Sequence, residues 1–405
     1  MSQQSWGGRA LSVTRGRLLL AAGGVLLVLV SGPLPALADQ AADDYNLAVG
    51  LYKQSRWKLS AEAFQKFLDN HAGHVKVPYA KLYLGLTLVN LKDYDGAREV
   101  LRDYVRRYPN SQNLADALYR VAECSYLLDD LRAAETEFGA FVEKFPDHDL
   151  QEYALPYFGD VLLRLDKPQE AARRFRESIE QDPKGRLAED ARFSLARAYE
   201  SLKERDKAVE LYQQLAANRA GSRAAQSQMN LGALYFEGKL FDEAAKIYSQ
   251  LEVRFPESSL VPAARLNAGY AYYQLRDYTQ AASLFEKAAE EDSQKATANY
   301  WLALSHKSLG DYARASQLLE ETQAADPDSP LLPNLMFQRA DCELRLGNAD
   351  AARNLFLDVV ARDPEGELAD DSLHFAAESA LVAGELDRTE SLLDRFDREH
   401  PRSSL

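Results

Sequence analysis

His71 and His74 stand three residues apart in "HAGH", the closest pair of imidazoles in the chain and the natural place to look for a metal site. A zinc ion needs three protein ligands in a catalytic site and four in a structural one. No third ligand stands at a suggestive spacing, so this pair reads as solvated side chains in a turn. His306 falls in a position held by Tyr or Leu in comparable segments and reads as a packed residue. Cys124 and Cys342 are the only thiols. A disulfide scaffold would need many more, and both read as buried apolar fillers. Asp and Glu number 62, so acidic pairs occur everywhere and spacing alone nominates no general acid and base. The chain has no HExxH, no G-x-S-x-G and no glycine-rich phosphate loop. The sequence therefore supports no catalytic residue, no metal ligand and no cofactor.

The first 38 residues differ from the rest. Arg9, Arg15 and Arg17 precede the apolar run Leu18 to Val30, and "SGPLPALA" then ends at Ala38. A basic start, a short apolar core and an A-x-A site predict a secretory signal peptide over 1–38, cleaved after Ala38. Thirteen apolar residues fall short of the roughly 20 that span a bilayer. No cysteine follows the run, so nothing there could carry a lipid. The reading is a periplasmic protein, secreted across the inner membrane, with no membrane insertion after cleavage. The segment holds three Arg and no acid. Of 48 Lys+Arg, 45 remain against 62 Asp+Glu, a net charge of −17. Nucleic acid and anionic bilayers repel such a surface.

What remains is periodic. With Ala97 as a ruler mark, counterparts fall at Ser60, Ala134, Ala171, Ala208, Ala244, Ala281, Ala315, Ala352 and Thr389, in steps of 34 to 37 residues. Four residues after each mark stands a large apolar side chain: Phe64, Leu101, Phe138, Phe175, Tyr212, Tyr248, Phe285, Leu319, Phe356 and Leu393. Twelve before each mark stands Gly or Ala, from Ala48 and Gly85 through Gly269 to Ala377. Twelve after it stands Pro in seven of ten cases, as in "YPNS" and "FPES". Within each half, apolar residues recur at helical spacing. Small residues in both halves let two antiparallel helices approach, and the large residue one turn on fills the space. Proline closes the second helix. Pro78, Pro262 and Pro333 open first helices, where a missing N–H costs nothing. Pro156 falls inside one, which predicts a late start or a kink. Each hairpin is too small to bury its own apolar face, so it must stack on its neighbours.

These columns, and stretches such as "DYDGAREVLRDYVRRYPNS" and "FDEAAKIYSQLEVRFPES", resemble the tetratricopeptide repeat over residues 43–402. They look most like the variant found in bacterial cell-envelope proteins of the Tol-Pal system and of outer-membrane assembly. The resemblance implies an all-α, right-handed superhelical solenoid of about ten helix hairpins over 39–405, with first helices lining the concave face. Positions flanking the small residue of each first helix would then point into the groove. They are rich in aromatics, densest at Asn267, Tyr270, Tyr273, Tyr300 and Trp301. Asn230 and Asn267 occupy the column in which relatives hold a peptide backbone by an amide. These six residues form the candidate partner-binding site. Aromatics on repeat helices also pack between repeats, and more often do so than touch a ligand. Glu123, Asp160, Asp341 and Glu378, with Arg120, Arg164 and Arg197, give a mixed groove that leans acidic and suits a basic or neutral segment.

Two functions follow. One is an exported scaffold that binds protein partners, as extended segments in its groove, for envelope organisation or assembly. The other is a scaffold that self-associates through its ends, since no extra polar helix follows the tenth hairpin. An enzyme has no support in the sequence.

Overall fold

The computed structural model describes residues 40–401, 403 and 405. The expected signal peptide, its cleavage point after Ala38 and residue 39 lie outside the described residues. Twenty helices follow in ten hairpins. They are α1 (Gln40–Lys53) with α2 (Trp57–Asn70), α3 (Val77–Asn90) with α4 (Tyr94–Arg107), and α5 (Leu114–Leu127) with α6 (Leu131–Lys144). Next come α7 (Gln151–Arg164) with α8 (Pro168–Gln181), α9 (Ala188–Ser201) with α10 (Arg205–Ala217), and α11 (Ala224–Glu237) with α12 (Phe241–Arg254). The array continues through α13 (Val261–Gln274) with α14 (Tyr278–Ala288), and α15 (Lys295–Ser308) with α16 (Tyr312–Ala325). It closes with α17 (Leu332–Arg345), α18 (Ala349–Arg362), α19 (Ala369–Val382) and α20 (Leu386–Glu399). Among the described residues there is no strand. Every substantial packing contact joins helices one or two apart in the chain. The result is the expected all-α solenoid of ten hairpins.

The ruler columns explain why the hairpins close. Each mark from Ser60 to Ala352 is fully buried, and so is the large residue four positions on, from Phe64 to Phe356. That residue lies on the small residue of its own first helix. At Gly85 an added Cβ would stand 2.5 Å from the Leu101 side chain, and at Gly269 one would stand 2.6 Å from the Phe285 ring. Real carbon contacts do not reach such distances, so an Ala at either position would require the large side chain to shift. Burying a side chain such as Phe285 contributes about 1.5–3 kcal/mol.

The turn inside each hairpin is equally regular. The amide of Asp93 reaches back to the Leu88 carbonyl at 3.0 Å, closing α3. The Asp93 carboxylate then accepts from Gly96 N at 3.0 Å and opens α4. Asp130, Asp277 and Asp311 cap α6, α14 and α16 in the same way. The residue before the cap is left-handed in all ten hairpins. Seven of these are not glycine (Ser55, Lys92, Asp129, Asp166, Lys203, Lys239 and Arg276), and Gly310, Gly347 and Gly384 complete the series.

Three expectations need correction. Helix α7 begins at Gln151, twenty residues before its mark, the same offset as α5 and α9, so Pro156 causes no late start. Pro156 sits buried inside the helix, past the first turn, where it leaves the Glu152 carbonyl without its i+4 amide. Leu393 is 42% exposed, and Thr389, Leu392 and Phe396 are the buried residues of α20. Elsewhere the first helix of the next hairpin covers the residue four after the mark, and among the described residues no helix follows α20. The His71 and His74 rings are half-buried rather than freely solvated. Both lie against Phe67, at 5.3 and 5.7 Å between centroids, and His71 Nε2 is 3.0 Å from Asp44 Oδ2. The contacts of both rings with Phe67 and the His71 hydrogen bond to Asp44 in α1 hold the turn against the first hairpin.

Candidate partner-binding site

In six joints the position two residues before the first-helix Gly or Ala meets the large residue of the preceding hairpin. Four joints are ring stacks. Tyr83 lies on Phe64 at 5.9 Å, Tyr157 on Phe138 at 6.3 Å, Trp301 on Phe285 at 6.2 Å and Phe375 on Phe356 at 5.6 Å, with planes within 30°. Where the large residue is Tyr, the opposing residue is Asn. Asn230 Nδ2 donates to the Tyr212 hydroxyl at 2.9 Å, and Asn267 is the hydrogen-bond partner of the Tyr248 hydroxyl. A buried hydroxyl needs such a partner, and a buried phenyl ring does not. The Tyr212 hydroxyl in turn donates to Glu200. Burial and that carboxylate hold the Tyr212 phenol far above its ordinary range, so it stays a donor.

Four of the six expected site residues come together. Trp301 is the hub of the seven–eight joint. Tyr270 and Tyr273 meet its ring edge-on at 5.0 and 5.2 Å, and Tyr300 stands beside it at 5.9 Å. All four are half-buried. Tyr273 also pairs its hydroxyl with Ser308 Oγ at 3.2 Å, and burial raises the phenols of Tyr270 and Tyr300. Consecutive first helices, α13 and α15, supply the cluster, so it presents one continuous aromatic surface with polar tips. Such surfaces offer large contact area at low entropy cost.

The two asparagines stand apart from this surface. Asn267 is one turn earlier on α13 and belongs to the six–seven joint. Asn230 lies on α11 at the five–six joint, where Gln226 Nε2 also donates to its Oδ1 at 3.0 Å. Both amides are thus committed to holding hairpins together. A pairwise comparison of the two columns, Phe against an aromatic in four of five rows and Tyr against Asn in both, carries this signal in the sequence; either column alone does not.

The charges of the groove columns are largely paired within the chain. Arg120 holds Glu123 at 2.6 Å, the Tyr126 hydroxyl donates to Asp160 at 2.9 Å, and Lys307 holds Asp341 at 2.6 Å. Burial pushes the Cys124 thiol up to about 12 and the Cys342 thiol to about 11, and both are fully buried. They are inert fillers at neutral pH.

Family models described as tetratricopeptide repeat match residues 45–112, 204–259, 272–336 and 335–366, together more than half of the chain. A model described as outer membrane lipoprotein matches residues 84–220. Among curated proteins, the outer membrane protein assembly factor BamD of Rickettsia prowazekii is 27% identical over 130 residues, 30% of this chain and 49% of that protein. The chain thus spans about half the length of this relative. Among solved structures, a tetratricopeptide repeat protein from Parabacteroides merdae is similar with a TM-score of 0.43 and 20% identity, covering 65% of this chain and 98% of that one. MamA protein is similar at 0.39 and 19%, covering 46% and 96%. The ten stacked hairpins, their buried ruler columns and the repeat matches along them agree: this chain is a tetratricopeptide-repeat protein that resembles envelope assembly factors.

Proposed function

We propose that the chain is an exported, non-catalytic scaffold that holds extended segments of protein partners along its first-helix face, in the organisation or assembly of the cell envelope. The observation that carries this reading is the half-buried cluster of Tyr270, Tyr273, Tyr300 and Trp301 on consecutive first helices. The likeness of residues 84–220 to an outer membrane lipoprotein family, and the assembly role in the name of the curated relative, support the envelope setting. With cleavage after Ala38 the scaffold works in the periplasm.

The test is photo-crosslinking in the native envelope. A crosslinking side chain at Tyr300 is expected to capture a discrete partner identifiable by mass spectrometry, and one at exposed Glu286, on a second helix, is not. Equal capture at both positions, or none at Tyr300, would remove the first-helix face from the proposal.

Self-association is a second reading. It is favoured by Leu381, Val382, Leu386 and Leu393, which are 54%, 59%, 69% and 42% exposed on α19 and α20. Sedimentation across a concentration series decides it: a monomer at the highest concentration ends the idea.

A further inference from the structure

The four rings of hairpins seven and eight differ from other aromatics of the first-helix face in what surrounds them. In hairpins three and four the groove tyrosines meet charges. The Tyr126 hydroxyl donates to Asp160 at 2.9 Å, and the Arg164 guanidinium stands over its ring at 5.8 Å. Burial raises the Tyr157 phenol, and the charge of Glu123 raises it further. At the cluster no charge intervenes. Burial alone raises the Tyr270 phenol, and burial followed by the neighbouring Tyr273 phenol raises Tyr300. The chain is 27% charged, so a neutral stretch of groove is a departure with chemical meaning. A lysine or a carboxylate docked there would give up water and gain no partner.

The polar tips of the cluster are open. Tyr270 Oη, Tyr300 Oη and Trp301 Nε1 make no hydrogen bond within the chain, and none of the three is sealed from water. An indole N–H only donates, and a phenol has one proton to give. Tyr273 is already paired with Ser308, and Asn267 is committed to Tyr248. Three free donors are thus set into aromatic surface. An ordinary extended segment brings an N–H for each carbonyl, and those N–H groups would compete for the phenol oxygens. A prolyl segment brings carbonyls and no N–H. It holds the polyproline II conformation with no internal hydrogen bond, so its carbonyls stand free and little entropy is lost on docking. Aromatic-lined grooves take proline-rich segments for these reasons. A sugar would bring many hydroxyls, each needing an acceptor as well as a donor.

We propose that the surface of Tyr270, Tyr300 and Trp301 binds a proline-rich partner segment in the polyproline II conformation, its carbonyls accepting from the two hydroxyls and the indole N–H. The proposal rests on the first-helix face being the partner-binding face, and it names the class of segment that this face takes.

The test follows the Trp301 indole N–H by NMR in the full chain. The probes are a hexaproline blocked at both ends, a Gly-Ser hexapeptide blocked in the same way, and tri-N-acetylchitotriose. Hexaproline is expected to move the Trp301 resonance saturably and to leave that of Trp57, on α2, unmoved. The Gly-Ser peptide is flexible and carries an N–H at every residue, and it should bind at least about tenfold more weakly. Tyr270→Phe and Tyr300→Phe keep the rings and each remove one donor. Each should weaken hexaproline about fivefold, the worth of one hydrogen bond, with thermal melting unchanged. Tyr126→Phe should leave the titration as it is. An unmoved Trp301 resonance, equal affinity for the two peptides, tighter binding of the saccharide, or full affinity in both Tyr→Phe variants of the cluster overturns the proposal. Photo-crosslinked capture at Tyr300 with no response to hexaproline would retain the first-helix face and remove the proline-rich class. Failure of both experiments removes the face itself.

Discussion

The joint between hairpins seven and eight and the joint between hairpins five and six occupy the same place in the repeat and are built from opposite chemistry. In the first, Phe285 stacks on Trp301 and neighbouring tyrosines close around the indole. In the second, Tyr212 is held by Asn230 on one side and Glu200 on the other. A ring stack rests on area and tolerates small rotations. A hydrogen-bonded phenol fixes direction and penalises any residue that leaves it unpaired. At these two joints the large residue and the residue that meets it therefore act as one unit.

The sharpest way to break the apolar joint is Phe285→Ala. It removes a fully buried ring that rests on Gly269 and supports Trp301. The expected loss is about 3–5 kcal/mol in denaturant unfolding, and a neutral result would mean the columns are misassigned. Ala244→Leu probes closeness in the hairpin behind a polar joint, since Ala244 is fully buried one turn before Tyr248. Overpacking there should cost about 1–3 kcal/mol by the same measurement. Next comes a cycle at the polar joint. Tyr212→Phe should cost about 1–2 kcal/mol by stripping Asn230 and Glu200 of their common partner. Adding Asn230→Tyr, which recreates the pairing of Phe138 with Tyr157, should return part of that loss; strict additivity would show that the two positions are uncoupled. The smallest effect concerns the turns. Lys203 has φ 61°, and Lys203→Gly should raise stability by up to about 1 kcal/mol in thermal melts. Gly347→Lys should lower it by a similar amount.

Much of this fold was legible in the sequence because its defining contacts are local. The Gly or Ala of the first helix, the ruler mark and the large residue after it all belong to one hairpin, so a single row of the repeat contains both sides of each contact. The joints were harder. Asn230 and Asn267 read as amides waiting for a peptide because their column was read alone, and the partner that claims each of them sits in the preceding hairpin. The left-handed turn residues were not legible either. Lys92, Lys203 and Arg276 carry no signature of positive φ, and the turn imposes that conformation because the cap and the back-bond on either side are both satisfied. At the candidate site, the clustering of Tyr270, Tyr273, Tyr300 and Trp301 followed from adjacent rows. The depth to which Trp301 is built into its joint depended on where Phe285 stands.

Every substantial helix contact links segments one or two places apart in the chain, so no bond measures the distance from the first hairpin to the last. That span is the running total of small rotations at successive joints. A pull on the two ends would be taken up first as a slight unwinding shared among all of them, with each hairpin intact. The molecule is thereby a soft spring made of stiff links, able to follow a moving attachment point without melting.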